Sequence, residues 1–409
     1  MKFLCYGYGQ DVEHVARLAR DGNEVRYFTP FYGSEIKFEN YAPGLGFDKI
    51  EKIQYFFNSV DWADCITFFE VGAGDLTEFL RRTTKKPCFG AGNAEKLENH
   101  RAMLRQIQKD IGLPTQHTAV ITGVDNLRKY LKSHPNQVVK LDIFRGDCES
   151  FIVDSYDKME TFIDEIEVAF GPFNEEYEFM VEDKLEGQEP GFDLYFNGTD
   201  YLRPYLWGYE VSESVYLGKY CDELPKPLQL VADKLKPVLQ KYDYRGAISI
   251  EAIVTKEGKP YLIDITARYA YPLSLLYTES IANYSEVIYK VAKGESVTIK
   301  NTAPYVGALP MRAQHAQKHW VRMDFKGDMK YIKTREASKI KGVYYAVKGM
   351  PEVVVCVAAE KSPEAVMDKL KNTAQNNIEV YSLDKDVIGS FEFGTKMISE
   401  SEKYGLGKF

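Results

Sequence analysis

Tyr244-Arg245-Gly246-Ala247-Ile248-Ser249-Ile250-Glu251 and Tyr261-Leu262-Ile263-Asp264-Ile265-Thr266-Ala267-Arg268 decide how this chain is read. The two apolar runs flank the turn Lys256-Glu257-Gly258-Lys259-Pro260, a β-hairpin pattern. Each run carries one carboxylate among Ile, Leu and Ala: Glu251 in the first, Asp264 in the second. A carboxylate in a buried strand is costly unless a cation compensates it. Two of them across a hairpin, with Arg268 just beyond, make a place for Mg²⁺ and a phosphate chain. Mg²⁺ takes oxygen ligands and binds through one or two carboxylates plus substrate phosphates. The competing reading is a solvated hairpin with edge charges. The position of both acids inside the oily runs, not at the tips, favours the metal.

The bulk numbers narrow the surroundings of that hairpin. At 409 residues, and about 150 residues per domain, roughly two to four structural units are expected. A hydrophobic share of 44% and a charged share of 27% exclude fibrous and disordered classes. The net charge of −8 supplies no long-range attraction to nucleic acid or an anionic membrane, so neither is an expected partner. An anionic nucleotide would need local positive charge and metal ions. The six cysteines (Cys5, Cys65, Cys88, Cys148, Cys221, Cys356) are scattered and lack zinc or redox spacing. The six histidines show no metal-binding spacing either. Met1 to Gly7 reads directly as a strand and not as a signal peptide, and no apolar run reaches membrane-spanning length. A cytoplasmic compartment is expected.

Along the chain, residues 2–6 form an apolar strand ending at Gly7-Tyr8-Gly9, followed by helical spacing (Val12, Val15, Ala16, Leu18, Ala19) and a strand at 24–28. That is a βαβ unit. Gly7-x-Gly9 lacks the third glycine of a dinucleotide fingerprint, so a packing turn explains it equally well. Strands at 65–69 and 87–90 complete a small doubly wound domain. One basic amphipathic helix is predicted from 94 to 111, then a strand at 137–141 bearing Lys140, a tip at Phe144-Arg145-Gly146-Asp147, and a strand at 150–153. Further helices are predicted at 157–170, 225–242 and 280–293, and a strand at 178–182. From about residue 299 a separate α+β unit is expected, with a strand at 353–357 and a helix opened by Ser362-Pro363.

With the lysine-bearing strand, the Glu182 segment and the Glu251/Asp264 hairpin in that order, the chain resembles the ATP-grasp superfamily. Within it, the phosphoribosylamine–glycine ligases are most similar, over most of the chain. Gly7-Tyr8-Gly9 with Glu13-His14 resembles their opening glycine loop. Phe89-Gly90 with Lys96-Leu97-Glu98-Asn99-His100-Arg101 resembles their Phe-Gly … Leu-Glu-x-x-Lys segment. Gly112-Leu113-Pro114-Thr115 matches their apolar-Pro-Thr turn, and residues 344–370 resemble the last domain more weakly.

The resemblance implies an α/β and α+β chain with the ATP-grasp fold: a Rossmann-like domain at 1–97, an ATP-grasp domain at 98–298 and a small α+β domain at 299–409. The middle domain would divide into a nucleotide-covering part, about 116–184, and a catalytic part, about 185–298. It implies ATP and Mg²⁺, or Mn²⁺ in its place. Lys140 and Arg101 match the cations on the phosphates, and Arg145 and Gly146 fall in the covering loop. Glu182, Asp183, Lys184 and Leu185 match the hinge that reads adenine, and Glu189 the carboxylate on the ribose. Glu251 and Asp264, with Thr266, match the metal ligands, and Arg268 the arginine at the γ-phosphate. Two departures stand out. Asp264-x-Thr266-x-Arg268 replaces Glu-x-Asn-x-Arg, and Gln10-Asp11-Val12 replaces the glycine and arginine before Glu-His, so a substrate phosphate would meet Asp11.

The implied reaction joins a carboxylate to an amine through an acylphosphate, releasing ADP and phosphate, with a small, glycine-like amino acid as acyl donor. The alternatives are the purine-pathway ligase itself and an ATP-binding protein without ligase activity. Gly7, Gly9, Arg203 and Lys219 are candidate substrate contacts, with a surface role for Arg203 the competing reading. Arg101 could equally pair with Glu98 on its own helix. The expected partners are small-molecule carboxylates and amines, in a monomer or homodimer.

Overall fold

The structure is a computed structural model, and the residues described are 1–30, 38–141, 150–211, 215–385 and 395–409. The first sheet is parallel: β1 (Lys2–Tyr6), β2 (Glu24–Phe28), β3 (Ile50–Lys52), β4 (Cys65–Phe68) and β5 (Cys88–Phe89), in the order β3-β2-β1-β4-β5. Strand order reverses between β1 and β4. In open α/β sheets, such a reversal leaves a crevice at the carboxyl ends of the strands. The loops holding Gly7 and Glu70 lie there.

The second sheet is antiparallel: β6 (Thr118–Thr122), β7 (Gln137–Leu141), β8 (Ser150–Val153) and β9 (Glu178–Asp183), in the order β6-β9-β7-β8. The side-chain period of two sends Val139 and Leu141 into a core under the helices Val124–Ser133 and Tyr156–Phe170. Val138 and Lys140 therefore face the other way, toward a groove.

The third sheet is the largest. It is built from β10 (Gly191–Asn197), β11 (Tyr205–Val211), β12 (Val215–Cys221), β13 (Arg245–Val254), β14 (Pro260–Thr266) and β15 (Tyr305–Arg312). The next strands in the chain are β16 (Val321–Phe325), β17 (Ile332–Thr334), β18 (Ala337–Ile340), β19 (Val343–Ala346), β20 (Glu352–Glu360) and β21 (Ile378–Val380). The eight-stranded order is β14-β13-β10-β11-β12-β15-β20-β17, while β18-β19-β16-β21 make a fourth sheet. Three strands of the segment beyond residue 299 extend the sheet that carries the carboxylate hairpin.

That hairpin forms as the sequence predicts, with Gly258 (φ 73°) in its turn. Glu251 pairs directly with Asp264, and Ser249 with Thr266, so all four share a face. The register shifts at the next step, where Ala252 pairs with Leu262 and Ile263 bulges out. The shift turns Leu262 into the core on the helix Lys226–Lys241 while Asp264 stays on the groove side.

The helix expected over 94–111 is broken. A 3₁₀ turn Gly92–Glu95 leads into Lys96–Asn99, and a second helix, Arg101–Asp110, starts after His100 at φ −128°, ψ 86°. The helix expected over 280–293 is likewise split into Tyr277–Ser280 and Tyr284–Lys293. Apolar periodicity runs across both breaks and cannot report them. Ser362 caps its helix as read, its Oγ accepting from the Ala365 amide at 3.2 Å. Among the described residues five cysteines are free, four of them buried, and no helix is long and apolar enough to cross a membrane.

Candidate active site

The groove face of the second sheet and the acidic face of the hairpin enclose a cavity of about 430 Å³. Arg101, Lys140, Glu182, Asp183, Lys184, Leu185, Glu189, Glu251 and Asp264 all line it. Sequence reasoning had chosen these residues from four separate segments, and the fold brings them to one space.

Its cationic wall is held by paired, buried contacts. Lys140 Nζ lies 3.5 Å from Glu182 Oε2 and donates to the Ile263 carbonyl at 3.3 Å. Arg105 grips the Glu182 carboxylate on both oxygens, with Nη2 to Oε2 at 3.0 Å. It also donates to the Leu262 and Ile263 carbonyls, at 3.2 and 2.8 Å. The bulge supplies those acceptors, because a bulged residue leaves the ladder. Burial alone would raise the Glu182 carboxyl, but Arg105 and Lys140 outweigh it and hold the group ionised. Burial, and then the Arg105 charge, pushes the Lys140 ammonium down. An incoming polyphosphate would reverse that push.

The break at His100 separates Glu98 from Arg101. Glu98 accepts the Ala267 amide at 2.7 Å and Arg268 Nε at 3.1 Å. Arg268 Nη1 also donates to the Tyr269 carbonyl at 2.9 Å. Arg101, only 6% exposed, donates to the Leu141 carbonyl at 2.6 Å and faces Asp264 Oδ2 at 3.4 Å. Two pairs, Glu98–Arg268 and Arg101–Asp264, thus tie this segment to the hairpin.

The acidic wall is not compensated in the same way. Burial, then Asp264, Glu210 and Glu189, push the Glu251 carboxyl up to about 8. Burial also raises Glu189, with Lys140 opposing. The donors are all oxygen, and a divalent cation would relieve this crowding of like charge, so the residues fit Mg²⁺. Among the described residues no three His, Cys, Asp or Glu side chains form a ready metal cage. Mg²⁺ commonly keeps waters and substrate phosphates in its shell, so two carboxylates suffice. Thr266 sits one pair further along the same face.

Other expected contacts lie elsewhere. Arg203 is exposed in the turn before Pro204, its Nε donating to Tyr205 Oη at 3.2 Å. Lys219 pairs in register with Trp207 and Tyr305, and its Nζ donates to the Lys408 carbonyl at 3.3 Å. Neither lines the groove. The amides of Gly7 and Gly9 already donate to Phe28 O and to Asp11 Oδ1, both at 3.1 Å, so the loop offers neither to a ligand. Arg145 and Gly146 lie outside the described residues. Sequence reasoning missed Arg105, although it lies one helical turn after Arg101 on the same face. It also missed Asp193, a carboxylate inside the apolar strand β10, the very signal that singles out Glu251.

Solved structures share this architecture across nearly the whole chain. The phosphoribosylamine–glycine ligase of Thermotoga maritima aligns at a TM-score of 0.72 and 15% identity, covering 94% of this chain and 100% of that one. The chain has the ATP-grasp fold. The biotin carboxylase domain of the Hydrogenobacter thermophilus 2-oxoglutarate carboxylase, in complex with MgADP, ADP and bicarbonate, aligns at 0.69 and 13% identity, covering 99% and 95%. N5-carboxyaminoimidazole ribonucleotide synthetase in its ADP complex aligns at 0.63 and 13% identity, covering 91% and 96%. No protein-family description and no curated relative matches the sequence. Identities this low establish the ATP-grasp fold and leave substrates to be argued from the site.

Proposed function

We propose that this chain is an ATP- and Mg²⁺-dependent ligase that joins a carboxylate to an amine through an acylphosphate. One observation carries the reading: Glu251 and Asp264 share a face of the hairpin and line one cavity with Lys140 and Arg101. Two acids and two cations facing one space match a metal-bound triphosphate in both signs of charge. Phosphoryl transfer asks little covalent work of a protein, and positioning with charge neutralisation dominates.

In this reading Lys140 and Arg101 neutralise phosphate oxygens, and Glu251 and Asp264, with Thr266 beside them, hold Mg²⁺. The bound ion supplies charge neutralisation at the transferring phosphoryl group. Arg268, aimed by Glu98, meets that group with its guanidinium. The hinge Glu182–Leu185 flanks the adenine, with Glu182 serving through Lys140, since Arg105 already occupies its carboxylate. Glu189 takes the ribose. Phosphoribosylamine is disfavoured as acceptor, because Asp11 stands in the glycine loop where its phosphate would need donors, and the Gly7 and Gly9 amides are already committed.

Saturating Mg-ATP is expected to raise the melting temperature, with Lys140→Ala and Asp264→Asn abolishing the rise. An unchanged melting curve would defeat the reading. A passive ATP binder would shift its melting temperature equally well, yet release no ADP with any carboxylate–amine pair.

A further inference from the structure

A second, larger cavity of about 540 Å³ opens off the groove and shares Gly187, Glu189 and Glu251 with it. Its chemistry is different. Glu189, Asp193, Glu210 and Glu251 reach its walls, and among the described residues no lysine or arginine does. Asp193 stands two residues beyond Gly191, the register partner of Glu251, and therefore on the same sheet face. Ser249, Tyr216 and Tyr277 surround its carboxyl with hydroxyls, the Tyr216 hydroxyl donating at 3.5 Å. Beyond them the wall turns apolar, with Leu273, Leu276 and Met397.

That polarity pattern selects a ligand. An anionic co-substrate would meet only acids at the acidic end. A compact ion such as ammonium, or a two-carbon amino acid, would leave most of the space unfilled, since one water's share of liquid volume is about 30 Å³. The volume lies within the roughly 300–1,000 Å³ of pockets that enclose drug-sized molecules. Tyrosine faces beside a carboxylate favour an organic cation.

We propose that this cavity binds a primary ammonium compound with an apolar body, its ammonium on Asp193 and its body against Tyr216, Tyr277, Leu273 and Leu276. Shared walls place the occupant beside the metal carboxylates, where the second substrate of the ligase must sit. That substrate role rests on the proposed function; binding of the ammonium compound does not. The ammonium could belong to the acyl donor or be the attacking amine itself.

The test is calorimetric titration of the full chain with phenethylamine, phenylalanine, glycine and 3-phenylpropionate. The first two are expected to bind, glycine at least tenfold more weakly and 3-phenylpropionate not at all. Asp193→Asn is expected to weaken phenethylamine at least tenfold while keeping the Mg-ATP melting shift, which also certifies that the variant folds. Tyr277→Phe, which keeps the ring, is expected to weaken it less. Equal binding of 3-phenylpropionate, or no loss in Asp193→Asn, would overturn the proposal. Glycine binding as tightly as phenylalanine would overturn the apolar body.

ADP release assigns the role. Release with phenylalanine plus hydroxylamine identifies the acyl donor. Release that needs phenethylamine together with a separate carboxylate identifies the acceptor. Ammonium binding without an Mg-ATP shift would sink the ligase reading and leave this site standing.

Discussion

Two places in this molecule have the backbone expected of a phosphate site, and they have met different fates. In the groove, Lys140 and Arg101 come from separate elements and line one cavity with Glu251 and Asp264, Arg101 lying 3.4 Å from Asp264. In the first sheet, the glycine loop sits where strand order reverses, yet it folds onto its own aspartate. Asp11 is fully buried, and its Oδ1 accepts from Tyr27 Oη at 2.8 Å and from the Gly9 amide. Its Oδ2, like one oxygen of Glu70 and the Tyr271 hydroxyl, is buried and has no hydrogen-bond partner among the described residues. A glycine loop at a strand end therefore makes an anion site only if its amides remain uncommitted. The difference lies in who holds the donors.

The contrast can be broken most violently in the groove. Arg105→Ala removes the bidentate partner of a carboxylate that is 1% exposed, and leaves Glu182 to Lys140 and the Thr118 hydroxyl. Removing one partner of a buried pair costs about 3–5 kcal/mol. The expected result is a large loss in urea-unfolding free energy together with loss of the Mg-ATP shift. A change confined to nucleotide affinity would show that the pair does not hold the groove together.

In the loop, the Cβ of Gly7→Ala would overlap the Asp11 carboxyl. A buried overlap of this kind costs on the order of 1–3 kcal/mol. Adding Asp11→Ala to Gly7→Ala should recover part of that loss, and a double mutant as unstable as the single would show that Asp11 is not what fills the loop.

Glu70 sharpens the comparison by pH. Burial, and then Asp11, raise its carboxyl from 4.5 to about 8, with Arg268 opposing. Between those values the folded chain holds a proton that the unfolded chain has released. The stabilising contribution is therefore complete below pH 4.5 and is lost as pH climbs toward 8. Melting temperatures measured from pH 5 to 8 should fall less in Glu70→Gln than in the parent. Parallel curves would remove Glu70 from this account.

The smallest effects belong to the residues the fold left outside. Arg203→Ala and Lys219→Ala should change stability by no more than about 0.5 kcal/mol and leave the Mg-ATP shift intact.

The legible parts of this chain are those where local chemistry and position agree. Carboxylates inside oily strands revealed Glu251 and Asp264, and alternation along residues 137–141 sent Lys140 to the groove. The break at His100 was hidden because helical spacing continues through it. Strands β10, β11 and β12 escaped because they are aromatic and largely buried, so no two-residue alternation marks them. Arg105 was invisible for another reason: nothing in one helix announces a partner 77 residues away. The change of texture near 299 does not record which edge of a sheet a strand joins, so the pairing of β15 with β12 stayed unread.

The single extra residue at Ile263 sets the phase of everything near it. Leu262 and Asp264 are two apart and would ordinarily look the same way, yet one is oil against a helix and the other an acid toward the nucleotide groove. Deleting that one position would restore plain alternation, leaving Leu262 opposite Ala252 and Asp264 opposite Glu251, and would take away the displaced carbonyl that Arg105 and Lys140 share. Counting by twos from the core would file Asp264 as a hydrophobic site.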